Sequence, residues 1–194
     1  AKGKAKAASK PAEISADSPQ FWGYVDTKGN VRLKASEQII GRSQKSKKAA
    51  LDEYWAKYQD QSDRLAVFEQ EKESLVAQQT AWADFKALAS EIQKTPGLGD
   101  VEALRARADA VQATFDAAAD QATADRKATL QDLAVLVKRA PSEDVSDELA
   151  ELEKQWQSLI LTGSPEESTL LLKFDRNAKA IRQIETSIGD DTAN

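Results

Sequence analysis

The chain has 194 residues, with 27 Lys+Arg against 32 Asp+Glu for a net charge of −5, and it contains no His, no Cys and no Met. Without Cys there is no disulfide, no thiolate nucleophile and no cysteine metal site. Without His there is no Ser-His-Asp triad, no imidazole acid/base and no His-ligated zinc or haem. At 41% hydrophobic, with only 8 Gly and 5 Pro, the sequence is too apolar for a wholly disordered chain and too poor in turn residues for an all-β one.

Charge is unevenly placed. Residues 1–48 carry eleven basic side chains against Glu13, Asp17, Asp26 and Glu37, a net of +7, and the remainder holds sixteen basic against twenty-eight acidic, a net of −12. Such a split points to polyanion contact or to association of a basic head with an acidic body. The uncharged apolar runs are far shorter than the ~20 residues a membrane crossing needs. AKGKAKAASK lacks the apolar core of a secretion signal, so a cytoplasmic location is expected.

Residues 1–18, rich in Lys, Ala, Ser and Pro, have no periodicity and read as a disordered basic tail. Residues 19–45 read as a small β-hairpin. Trp22, Tyr24, Val31, Leu33, Ile39 and Ile40 lie in short alternating runs, and Gly29 in Asp26-Thr27-Lys28-Gly29-Asn30 can take positive φ without steric cost. The strands fall near 21–26 and 30–34, with a third near 38–41. A hairpin of this size is marginal alone and must dock its aromatic face on something.

From Ser46 to Lys94 there is neither Pro nor Gly, and Leu51, Tyr54, Trp55, Tyr58, Leu65, Phe68, Leu75, Trp82, Phe85, Leu88 and Ile92 recur at helical spacing. Gln61, Lys72 and Gln79 interrupt the stripe, and the change of phase near Trp82 predicts a stutter or bend in one long helix. Thr95-Pro96-Gly97-Leu98-Gly99 ends it. Asp100 then caps a second long helix over 101–139, so that 46–139 should form a long antiparallel helical hairpin.

Residues 140–188 read as a C-terminal helix pair. The first member, from Ser142 or Asp144 to Leu161, buries Val145, Leu149, Leu152, Trp156 and Leu159. Ser164-Pro165-Glu166-Glu167 carries a capping box with Pro at the first helical position, and opens the second member, 165–188, which ends before Gly189. Residues 189–194 should fray.

Two stretches carry a family resemblance. WGYVDTKGNVRLK with IIGRSQKSKKAALDEYWAKYQD matches an FGRVD-x-x-G-x-V hairpin, a "VG" segment and an EAL-x-x-Y-x-x-KY helix, through Trp22, Gly23, Val25, Asp26, Gly29, Val31, Gly41, Ala50, Leu51, Tyr54, Lys57 and Tyr58. LGDVEALRARADAV, RKATLQDLAVLVKR, ELAELEKQWQSL and LLLKFDRNAKAI resemble further segments of the same pattern, so that the likeness spans roughly residues 21–185. On these motifs the chain resembles actinobacterial proteins of domain-of-unknown-function family 349. It departs from them at Tyr24, where the family has Arg, and in holding its helical repeat only once. The resemblance implies an elongated helical fold and a bacterial cytoplasmic origin, and it assigns no reaction.

Candidate sites follow from charge and aromaticity. Lys2, Lys4, Lys6 and Lys10, with a second cluster at Arg42, Lys45, Lys47 and Lys48, can meet phosphates in a salt-sensitive way. Basic residues at a helix start oppose its dipole, which favours an external use for the second cluster. Phe21, Trp22 and Tyr24 could stack bases, but a small hairpin needs a docking contact, so these three, Trp22 and Tyr24 above all, are expected to pack onto Tyr54, Trp55 and Tyr58. For chemistry no SxxK pair, no ExxH pair and no phosphate-binding glycine loop is present. Glu148, Glu151 and Glu153 are spaced for a solvated helix face. No metal site, cofactor, catalytic residue or small-molecule substrate is expected.

The expected fold is therefore mainly α: an elongated antiparallel helical hairpin and a C-terminal helix pair, with a small N-terminal β-hairpin. The expected function is that of a non-catalytic helical interaction or scaffold protein, binding a protein partner or itself through its helices. The alternative is an RNA- or ribosome-associated factor that binds through the basic N-terminal segment.

Overall fold

A computed structural model of the chain describes residues 14–192, the last five through the backbone only. The fold is mainly α, with α1 (Pro19–Trp22), α2 (Lys47–Leu75), α3 (Gln79–Lys94), α4 (Val101–Arg139), α5 (Ser146–Ser158) and α6 (Pro165–Thr192). Strands β1 (Gly23–Val25), β2 (Asn30–Leu33) and β3 (Ile39–Arg42) form one antiparallel sheet in chain order. The chain divides into two compact units. One takes the residues up to Ala66 with Ala87–Ala108, and the other takes Val67–Lys86 with the residues from Asp109 onward.

In the first unit the hairpin reading holds, including the third strand and the positive φ of Gly29, at +82°. The carboxylate of Asp26 organises the turn by accepting the backbone N–H groups of Lys28 and Asn30, each at 2.9 Å. Between β2 and β3 the register runs Asn30↔Arg42, Val31↔Gly41 and Arg32↔Ile39, so that Ile40 is the extra residue of a bulge. The inner face of the sheet, Val31, Leu33 and Ile40, packs with Ala50, Leu51, Leu98 and Val101, and Trp22, Val25 and Tyr54 close the cluster. Two glycines permit this seating. A Cβ on Gly41 would meet the Tyr54 hydroxyl at 1.8 Å, and one on Gly23 would meet Leu98 at 2.3 Å.

The continuous helix expected over 46–94 is in fact two helices that reverse direction. Tyr54 O accepts from Leu98 N at 2.9 Å, and Gln61 bonds Thr95 O at 3.0 Å. Arg64 pairs with Glu91. In the second unit Phe68 lies edge-on to Phe85 at 5.3 Å. Partners thus fall in sequence as α2 advances, the mark of an antiparallel pair. The expected two-helix arm over 46–139 is accordingly α2, α3 and α4. Its first reversal, Val76-Ala77-Gln78, contains no Gly or Pro, and the Trp82 indole closes it by donating to Val76 O at 2.9 Å. The phase change at Trp82 was the trace of a full turn, not of a bend.

The second reversal, at 95–99, is where the sequence placed it. Asp100 accepts Ala103 N at 3.1 Å as the expected cap of α4. In the second unit Leu133, Leu136, Val145, Leu149, Leu152, Trp156, Leu170, Phe174 and Ile181 build the core from α4, α5 and α6. Helix α5 stops at Ser158, not at Leu161, because Leu159 takes extended geometry. Helix α6 runs on through Gly189 to Thr192, past the expected stop. The expected capping box is not formed: Glu167 accepts Thr162 N at 2.7 Å and Gly163 N at 3.1 Å, Ser164 N donates to the Thr162 hydroxyl instead, and the Ser164 hydroxyl is buried without a partner.

Candidate functional site

Three features of the described residues could meet another molecule: the outer face of the sheet, a groove between α4 and α5, and a cavity against the 161–164 segment. The bulge sets the first. By taking Ile40 and Gly41 together to the inner side, it returns Ile39 and Arg42 to the outer one. The register then lines Tyr24, Arg32 and Ile39 side by side across all three strands, with Asn30 and Arg42 forming the next row. Tyr24 is 37% exposed, Ile39 49% and Phe21 42%.

The expected docking set is therefore corrected at Tyr24, which faces outward, and at Phe21, which is exposed. Trp22 does reach the core, and its indole also donates to Ala16 O at 2.8 Å. Tyr54 receives the sheet as expected. Trp55 and Tyr58 stack on each other at 5.8 Å, and Tyr58 serves the 95–99 turn: a Cβ on Gly97 would strike its backbone and one on Gly99 its ring. Burial pushes the Tyr58 phenol pKa up.

On the outer face Arg32 donates through Nε to Asp26 at 2.9 Å and through Nη1 to Glu37 O at 3.0 Å, which fixes the guanidinium. That guanidinium, with the turn amides, holds the Asp26 carboxyl well below the usual carboxylate range. Of the predicted phosphate contacts, Lys2, Lys4, Lys6 and Lys10 lie outside the described residues. Arg42 ends β3, Lys45 pairs with Glu53 at 3.0 Å, and Lys47 and Lys48 open α2; all four are exposed.

The α4/α5 groove lies within the second unit and encloses about 490 Å³. Val135, Leu136 and Leu152 supply its apolar surface, and Asp132, Asp147, Glu148 and Glu151 its carboxylates. Arg139, the cation of the groove, donates to both oxygens of Glu148 at 2.7 and 3.0 Å and to Glu143 at 2.8 Å. These partners raise its pKa, and Arg139 in turn lowers that of Glu148. Val135 is 53% exposed. Nothing in the residue pattern marks the groove, because Val135 falls off the core stripe and Glu148 and Glu151 look like an ordinary wet face.

The cavity of about 520 Å³ against 161–164 is walled by Trp82, Phe85 and Phe115. Phe85 and Phe115 stack at 5.1 Å and are each 1% exposed, so little of their ring surface is open to a ligand. Behind the loop Arg126, 2% exposed, lies over the Trp156 ring at 4.6 Å and donates to Leu159 O and Ile160 O at 3.3 and 3.1 Å. This is a structural latch that the sequence did not mark.

Among the described residues no group of three metal-ligating side chains is placed to hold an ion, and no helix is long and apolar enough to cross a membrane. No family model, no curated protein and no solved structure matches the chain.

Proposed function

We propose that this chain is a non-catalytic helical interaction protein of the cytoplasm, and that its α4/α5 groove takes a basic amphipathic helix of a protein partner. One observation carries the reading. Val135, more than half exposed, shares an apolar groove with Leu136 and Leu152 that is bordered by four carboxylates, while Arg139 is occupied by Glu143 and Glu148. An amphipathic helix laid in a groove contributes apolar anchors on one face and charge at its edges. Lysines at the edges of such a helix would answer the acidic border, and an aliphatic anchor would cover Val135.

The probe is a fluorescent Leu/Lys amphipathic peptide titrated onto the full chain, with a Leu/Glu peptide of the same pattern as control. Val135→Asp makes the groove more acidic yet removes its apolar contact. Binding of the Leu/Lys peptide should weaken about tenfold, since covering an exposed Val contributes on the order of 1–2 kcal/mol. Equal or tighter binding by the variant would show that charge alone attracts the peptide and would remove the groove reading. A chain dimer in light scattering that Val135→Asp dissolves would assign the groove to a second copy instead.

A further inference from the structure

We propose that the outer face of the three-stranded sheet binds single-stranded RNA, with Tyr24 as the stacking platform and Arg42 as a phosphate contact. The inference goes beyond the groove reading and stands on residues of the first unit only.

The sheet has two faces with different fates. Its inner face is consumed by the contact with α2 and Leu98. Its outer face carries Tyr24, Arg32 and Ile39 in one cross-strand row, with Tyr24 37% and Ile39 49% exposed. Exposed aromatics on strands are costly to leave in water and common where bases are stacked, because every base offers a flat apolar surface. The row spans two inter-strand spacings, about 10 Å, which is room for two bases.

Its chemistry selects the occupant. An apolar protein partner would be poorly served by a face whose centre is a guanidinium. A planar base suits it, since the fixed Arg32 plane can stack or donate beside the Tyr24 ring. Two carboxylates act on Arg32, those of Asp26 and Glu37; Asp26 is already answered by Arg32 Nε at 2.9 Å, by two backbone amides and by Asn30 Nδ2 at 3.1 Å, so it repels a phosphate weakly. Beyond the row, Arg42, Lys45, Lys47 and Lys48 follow along the exit from β3 into α2. Over residues 14–48 seven basic side chains face three acidic ones. The basic cluster and the aromatic row are thus consecutive in the chain, stacking surface first and phosphate contacts next.

The test is fluorescence anisotropy of a labelled oligouridine on the full chain, at two salt concentrations, with a single-stranded DNA of matching length and a duplex RNA as comparison arms. Tyr24→Ala changes no charge, so any general attraction by lysines is left intact. It should weaken oligouridine binding about tenfold, whereas Tyr24→Phe should not. Arg42→Ala should lower the slope of log affinity against log salt by about 0.7, the contribution of one phosphate. The duplex should bind more weakly than the single strand and be indifferent to Tyr24→Ala. Equal single-stranded DNA binding would widen the ligand to single strands of both kinds, still through Tyr24. Val135→Asp should leave all of these values unchanged, which separates this site from the groove. If Tyr24→Ala disturbs the thermal melt, ultraviolet crosslinking of the wild-type chain decides instead, with the crosslinked nucleotide expected on Phe21 or Tyr24. Unaltered affinity in a folded Tyr24→Ala chain, no retention at low salt, or crosslinks confined to residues outside 21–48 would overturn the proposal.

Discussion

Gln61 and Gly97 are joined by a buried hydrogen bond: the Gly97 N–H donates to Gln61 Oε1 at 3.0 Å, and the Gln61 side chain is fully enclosed. The same amide donates through Nε2 to Thr95 O at 3.0 Å and to Glu91 at 3.2 Å. A turn leaving a helix strands backbone groups that water cannot reach. Here one glutamine from α2 supplies both an acceptor and a donor to the α3–α4 turn. The polar break in the apolar stripe is therefore the position that fixes the turn against α2.

Replacing Gln61 by Leu would satisfy the hydrophobic pattern and leave Gly97 N–H buried without an acceptor. Such an orphan costs about 1–3 kcal/mol. We expect Gln61→Leu to lower stability by about 2 kcal/mol in chemical denaturation and to speed amide exchange at Gly97. A variant as stable as the parent, with Gly97 still protected, would show that the amide is dispensable.

Gly97 and Gly163 should respond differently to alanine. A Cβ on Gly97 would lie 2.2 Å from the Tyr58 backbone N and 2.8 Å from Tyr54 O, and neither can move without displacing α2. Gly163 has φ +73° but nothing within 4 Å of the added carbon, so only left-handed strain is incurred. Gly97→Ala should cost about 3 kcal/mol and Gly163→Ala about 1 kcal/mol. Thermal melts of the two variants compare them directly, and the reverse order would refute the packing argument.

The features that were legible in the sequence are those written in local chemistry. Gly29 in its turn, Asp100 at its cap and Pro96 at its stop each act through their own backbone or a neighbour's. The reversal at 76–78 was hidden because ordinary residues make it and a distant indole completes it. The outward face of Tyr24 was hidden for another reason: alternation from Trp22 assumes one strand, yet Trp22 belongs to the α1 turn and β1 begins at Gly23. The groove at Val135 and the latch at Arg126 depend on which helices meet, information that no single helix contains.

Arg126 tests whether a buried cation here stabilises the fold or only the loop. Its Nε and Nη1 have no partner, and burial lowers its pKa, so the charge itself is poorly compensated. Exchanging a buried, incompletely paired charge for an apolar side chain of similar length is often close to neutral. Arg126→Met should therefore change global stability by no more than about 1 kcal/mol. It should nevertheless raise hydrogen exchange across 159–164, where the carbonyls of Leu159 and Ile160 lose their donor. Unchanged exchange in that segment would dismiss the latch.

Acid should loosen the hairpin, and Asp26 is the group responsible. Its folded pKa lies below the unfolded value near 3.8, chiefly because of Arg32, with the Asn30 and Lys28 amides adding to the effect. A depressed carboxylate contributes stability that is complete above the unfolded pKa and drains away as pH falls through the folded one. The hairpin should thus hold at neutral pH and weaken progressively below about pH 4. In a carbon-detected titration the Asp26 carboxyl should show a midpoint well below those of solvated aspartates. Asp26→Asn removes the charge that Arg32 meets and sets its amide against Asn30 Nδ2, so β1–β2 amides should exchange faster in the variant at neutral pH. The same amides should then lose their acid sensitivity. An ordinary midpoint for Asp26, or an acid response that survives Asp26→Asn undiminished, would place the pH dependence elsewhere.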